Sequence, residues 1–313
     1  MTRHALPRLG RLRGLAQLGA LAASLGAIGC GTPVPSFANG EAPGTVVDYA
    51  TFRVDLIASV RPRSETAPEL LSRLLETADA LSDLGAQQVD VVAGEQGGKR
   101  ELIGALYGMP PGSSPGMLLS ERGTAIWTKR PEAGRPPIVW DGKDGVVLQF
   151  VAGVWLYASS GSAQAVVAHA RRSGHSPERI DLAKDSLIEG WFLGEARGGG
   201  ASKVVRIDEA EHLEQSWMRI AASGNVVAHA TYVDSAAARR AESAGNARAA
   251  QLKANPVRQT SSRDQLALET FELSRSGREL TYVLQLPITR RHAPARPAPC
   301  PVGSSFDGKR CVH

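Results

Sequence analysis

Metal-ligand cysteine pairs, an HExxH helix and a complete phosphate loop are all missing from this chain of 313 residues. With them go the reaction classes that short motifs announce. Cysteine is scarce: only Cys30, Cys300 and Cys311 occur, and near the C-terminal pair the remaining zinc ligands on offer are Asp307 and His313, so no metal site is expected. No apolar run reaches the roughly twenty residues that a bilayer-spanning helix needs. Aromatic residues make up 5% of the chain. The tryptophans Trp127, Trp140, Trp155, Trp191 and Trp217 are dispersed, which favours core positions over a ligand platform. No cofactor is implied.

What is present is clearest at the N-terminus. Arg3, Arg8, Arg11 and Arg13 precede an apolar run from Leu15 to Gly29, with no acid before Cys30. This is the positive region and the hydrophobic region of a secretion signal. Ala27-Ile28-Gly29-Cys30 resembles a bacterial lipobox, in which a small residue precedes the cysteine that is diacylated and becomes the new N-terminus. Ala27 stands where that motif usually has Leu. The resemblance implies a signal peptide over residues 1–29, lipidation at Cys30, and a membrane as the partner of the lipid anchor. Gly31 is not the Asp-type inner-membrane retention signal of enteric bacteria, so the resemblance implies an outer-membrane destination. A second cleavage stays open: Ser36-Phe37-Ala38 is a small-x-small site whose use would release a secreted or periplasmic soluble protein.

Once the signal is set aside, the charge changes meaning. The whole chain carries 36 basic and 31 acidic residues, and four of the arginines lie in the first 29 positions, leaving 32 against 31, or +1. A nearly neutral exported protein has no electrostatic case for nucleic acid as a partner.

Composition divides the remainder into a flexible tether over residues 30–49, a first α+β half over 50–160, a second over 161–287, a Pro/Arg linker over 288–299 and a tail over 300–313. Alternation predicts a strand over 52–60, and a leucine-faced helix follows between Pro68 and Gly85 with Leu70, Leu74 and Leu81 on its apolar face. Strands near 88–93 and 101–107 are joined by Glu95-Gln96-Gly97-Gly98. The middle reads as short strands at 124–129, 137–140, 146–151 and 154–158, then a helix over 162–172. A strand at 226–233, an alanine-rich helix over 235–254 with Asp234 as N-cap, and strands at 266–273 and 280–286 complete the pattern. The expected fold class is α+β, antiparallel-dominated: two related β-α-β-β units, 52–107 and 226–286, flank a β-rich middle and have helices packed on one sheet face. Leu280, Tyr282 and Leu284 are expected to be buried.

The candidate sites are few. Gly94 to Arg100 departs from a phosphate loop at Ala93 and Arg100 and reads as a hairpin turn. Gly194 and Gly198 to Gly200 read as a loop. Asp208, Glu209, Glu211, His212 and Glu214 form the densest cluster of acids and imidazole, and Asp208 and Glu209 would share a helical face with His212, making these three the catalytic candidates. His229 in a strand reads as a hydrogen-bonded sheet histidine, and Ser160 and Ser162 lack the hydrolase elbow.

Cys300 and Cys311 flank the turn signal Asp307-Gly308 and are expected to form a disulfide in an oxidising compartment. The tail resembles short disulfide loops at the ends of secreted myxobacterial proteins, and more distantly one loop of peritrophin-type chitin-binding modules. The whole layout is similar to uncharacterised envelope lipoproteins of myxobacteria and planctomycetes. The resulting expectation is a lipid-anchored envelope protein that binds or scaffolds an envelope protein or glycan, with a carboxylate/His hydrolase as the alternative.

Overall fold

The structure is a computed structural model and describes residues 44–62, 66–68, 85–110, 127–131, 136–193, 212–254, 262–290, 305–306 and 311–312. The expected signal peptide, Cys30, the helix expected between Pro68 and Gly85, the loop expected over Gly194–Gly200, Asp208, Glu209 and Cys300 lie outside the described residues.

Twelve strands form one sheet in which every neighbouring pair is antiparallel. In the first part of the chain these are β1 (Arg53–Val60), β3 (Gln88–Gln96), β4 (Lys99–Tyr107), β5 (Thr128–Lys129), β6 (Ile138–Gly142), β7 (Gly145–Phe150) and β8 (Val154–Ser159). The helix α1 (Ala163–Ser173) follows. Then come β9 (Ser186–Leu193), β10 (Leu213–Ala221), β11 (Asn225–Tyr232), helices α2 (Ser235–Ala254) and α3 (Ser262–Glu269), β12 (Glu272–Ser276) and β13 (Glu279–Gln285). Across the sheet the order is β12-β13-β11-β10-β9-β1-β3-β4-β8-β7-β6-β5. Two small ribbons stand apart: β2 (Thr66–Pro68) with β14 (Ile288–Arg290), and β15 (Ser305–Phe306) with β16 (Cys311–Val312).

This architecture is α+β with the sheet dominant, and it corrects the expected pairing of 52–107 with 226–286. In the first segment the strands lie in chain order, β1-β3-β4, whereas in the second the last strand sits in the middle, β11-β13-β12. The two do not superpose in strand order. A different correspondence fits: β1-β3-β4-β8-β7 on one side of the β1–β9 seam matches β9-β10-β11-β13-β12 on the other, pair by pair. Matching strands start about 125–133 residues apart, as at Gln88 and Leu213 or Val154 and Glu279. Because β1 and β9 are antiparallel, the halves are related by a pseudo-twofold axis through the seam. The connection that carries β5 and β6 in the first unit carries α2 and α3 in the second.

Several local expectations change as well. Residues expected to be a strand over 266–273 instead finish α3 at Glu269, where Thr270 donates its N–H and its hydroxyl to Leu266 O at 3.0 and 2.8 Å. The expected tether ends before residue 49, because Val46 and Tyr49, in a 3-10 turn over Val46–Tyr49, are buried in the core. The expected linker begins as strand β14. Leu280 and Leu284 are buried and Tyr282 is half-buried, whereas Leu70, Leu74 and Leu81 lie outside the described residues.

Alternation along the strands gives the sheet two faces. One buries Ile57, Val92, Ile103, Leu148 and Leu156 beneath Val166, Val167 and Ala170 of α1, the 3-10 turn, and Ile180 and Leu182 of the segment that follows α1. The other buries Val60, Val89, Leu106, Trp155, Met218 and Val226. Toward the β12 end of this second face, Ala237, Ala238 and Ala241 of α2 pack on Tyr232 and Leu280. Gly97 and Gly98 join β3 to β4 with φ of 58° and 75°, the left-handed pair that suits a two-residue hairpin. The Gly94–Arg100 run is that hairpin. Thus Trp127, Trp155, Trp191 and Trp217 are core residues.

Candidate functional site

Side chains on the α1-covered face follow one cross-strand row. From the seam outward it runs Ile57, Trp191, Trp217, His229, Thr281 and Ser274. Exposure grows along it. Trp191 and Trp217 are 1% and 2% exposed, His229 and Thr281 are half-buried, and Ser274 is exposed. Beside His229 and Thr281 stand Val227 and Val283, also half-buried. The second unit therefore carries half-buried apolar, imidazole and hydroxyl groups on this face of the sheet. The His229 ring lies 6.2 Å from that of Trp217. Burial holds its pKa below the ordinary histidine value, opposed by the Glu279 charge and a hydrogen bond with the Leu280 backbone, so the neutral ring is favoured at neutral pH.

At the opposite end of the same face a shallow pocket of about 370 Å³ opens beside the start of α1, lined by Arg130, Asp141, Gly142, Gly145, Ser160 and Gln164 among others. Arg130 grips Asp141 in a two-pronged pair, Nε to Oδ2 at 2.7 Å and Nη2 to Oδ1 at 2.8 Å. The pair lowers the pKa of Asp141 through the Arg130 hydrogen bonds and raises that of Arg130. Buried Glu101 accepts from the Ser159 hydroxyl, and Glu101 packs against Gly161 just ahead of α1. A carboxylate thus already stands near the positive end of the helix.

The most elaborate polar chemistry ties down the segment between α1 and β9. Asp90, fully buried in β3, accepts from Ser59 Oγ at 2.5 Å, Gln88 Nε2 at 2.9 Å and Ile180 N at 2.8 Å. Burial raises its pKa, against those hydrogen bonds. Gln88 also donates to Ile180 O at 2.7 Å, and the Tyr107 hydroxyl to Glu178 O at 2.8 Å. Arg61 donates to the carbonyls of Leu182, Ala183, Lys184 and Ser186, while Glu189 accepts from Ala183 N and Ser186 Oγ. These groups are engaged with the chain's own backbone, so their arrangement fixes a loop.

No family model matches the chain, and no curated protein matches it. Among solved structures it is similar to TP0453: crystal form IV at a TM-score of 0.46 and 11% identity, covering 80% of this chain and 95% of that one, and crystal form III at 0.44 and 12%, covering 77% and 92%. At such scores the likeness carries neither fold nor function across.

Of the expected site residues, His212 lies just ahead of β10, half-buried, with its carbonyl accepting from Val233 N at 2.9 Å. Its charge helps lower the pKa of Asp234, chiefly depressed by the hydrogen bond from Ala237 N at 2.7 Å that caps α2. His212 therefore belongs to the surroundings of the helix cap at Asp234. Ser162 is buried at the start of α1 and donates to Ser159 O at 3.2 Å. Among the described residues no group of three or more His, Cys, Asp or Glu is placed to hold a metal. Sequence reading missed Asp90, Glu101 and Glu189, although a carboxylate within an apolar strand such as Gln88-Val-Asp-Val-Val92 was the available sign.

Proposed function

We propose that this is a lipid-anchored protein of the bacterial cell envelope that works as a binding or scaffolding protein, with the outer part of the second unit's sheet face, toward Val283 and Ser274, as its binding surface. The observation that carries the binding part is the row from Trp217 through His229 to Thr281, flanked by half-buried Val227 and Val283. Half-buried Val227 and Val283 offer apolar contact and exposed Ser274 a hydroxyl at the rim of this surface, which suits an envelope protein or a glycan. The anchoring part rests on the lipobox-like Ala27-Ile-Gly-Cys30, with an outer-membrane destination. The disulfide between Cys300 and Cys311 that would close the tail rests on their spacing around the Asp307-Gly308 turn in an oxidising compartment.

Two measurements test this. Cys30→Ser should abolish membrane association, and the mature protein should carry a diacylated N-terminal cysteine by intact mass. An unmodified N-terminus at Asn39 would overturn the anchor in favour of a soluble exported protein. For binding, a photo-crosslinking residue at Thr281 should give discrete adducts with envelope protein or glycan in cells, while one at exposed Val151 should not. Equal labelling from both sites would refute the assigned surface.

A further inference from the structure

The two ends of the sheet are built differently. At one end, β5 is two residues long, carries Lys129, and is followed by Arg130. Short strands and positive charge are the usual ways of closing a sheet edge to further pairing. At the other end, β12 pairs with β13 through five consecutive residues without a bulge and contains neither lysine nor proline. Its single basic side chain, Arg275, is held by Glu242 of α2 at 2.8 Å. Leu273 lies close to Gly245 of the same helix, so α2 braces β12 from one side. Among the described residues nothing pairs with the outer edge of β12.

Internal symmetry says what that edge can take. The strand that matches β12 in the first unit is β7, and the place beyond β7 is filled by β6 running antiparallel to it. In the second unit the corresponding connection forms α2 and α3, and among the described residues it sends no strand to that place. We propose that the β12 edge is a docking surface for a second copy of this chain, which pairs its own β12 antiparallel across a twofold axis at Ser274.

In that register Ser274 faces its own copy, Glu272 faces Ser276 and Leu273 faces Arg275. No like charges stand directly opposite, and the two Arg275 groups, which meet only diagonally, are each neutralised by their own Glu242. Glu272, Ser274 and Ser276 are exposed on the monomer, so they are free to meet the second copy. The pairing goes beyond the binding function proposed above and does not depend on it, because it uses the sheet edge and not the face.

The test uses the full chain carrying Cys30→Ser, which leaves every described residue intact. Sedimentation at about 100 μM, where a micromolar association is populated, should show a dimer. Ser274→Lys would set two ammonium groups opposite each other and should raise the dissociation constant about threefold to fivefold without changing the circular dichroism of the monomer. With Cys300 and Cys311 also replaced by serine, Ser274→Cys should oxidise to a covalent dimer, since directly opposed residues stand 4.5–5.5 Å apart at Cα, within disulfide reach. Ser276→Cys should not, because its own copy lies roughly 13 Å along the strand. A monomer at that concentration overturns the proposal. So does a dimer indifferent to Ser274→Lys, or one in which Ser276→Cys cross-links as well as Ser274→Cys.

Discussion

Asp90 ties three parts of the fold together, since its carboxylate gathers donors from β1, from its own strand and from the segment beyond α1. Removing it in Asp90→Ala takes the acceptor from the Ser59 hydroxyl and the Ile180 N–H, while the Gln88 amide keeps Ile180 O, and the expected loss is about 3 kcal/mol by urea unfolding. Asp90→Asn keeps the shape and loses less, since the Ser59 hydroxyl can turn from donor to acceptor. The sign of the pH effect follows from the direction of the shift. A raised native pKa means that the fold binds the Asp90 proton more tightly than the unfolded chain does. Its contribution is therefore fully present below the unfolded value near 3.9 and is lost as pH rises through the native value. Wild type should lose stability relative to Asp90→Asn as pH rises above about 4. Parallel stability curves for the two proteins over that range would show that Asp90 is ionised at no cost in the fold.

Elements were legible where one face of a strand was wet or a helix had clear ends. Alternation located β1, the β3–β4 hairpin and β6 to β8, and Asp234 marked the start of α2 within a residue. The misses have a common physical cause in burial. β9 is the seam strand, and its residues Ser186 to Trp191 are all buried, so no wet face survives to give period two. β10 begins at Leu213 among acids that also suit an exposed helix. Without β9 and β10 the repeat was matched to the wrong partner strands. The segment from Leu266 to Leu273 failed for a different reason: its alternating leucines mimic a strand, while the boundary is set by one hydroxyl. Thr270 Oγ1 donates to Leu266 O and accepts from Gln285 N, both at 2.8 Å, joining the end of α3 to β13. Thr270→Val keeps the volume and removes both bonds. The expected cost is about 1–2 kcal/mol, with faster amide exchange at Gln285. Unchanged exchange there would mean that the bridge does not hold α3 to the sheet.

For the whole molecule the β1–β9 seam decides whether the two units behave as one body. Five residue pairs cross it, from Leu56–Phe192 to Val60–Ile188, and the side chains at its middle are buried on both faces of the sheet. Arg61, directly after β1, then clasps the carbonyls ahead of β9, so the first unit also holds the connection into the second. Pairing, packing and the clasp all act across one line, and none of them can be lost from one unit without exposing the other. The halves should therefore unfold together. Trp191→Ala removes the largest fully buried side chain at the seam, and cavity formation should cost about 3–5 kcal/mol. Calorimetry should show one transition moved to lower temperature, with amide protection in β4 and β11 falling in parallel although neither strand touches Trp191 by pairing. If β11 loses protection while β4 keeps it, or if the single transition splits in two, the units are separate cooperative bodies that share only an edge.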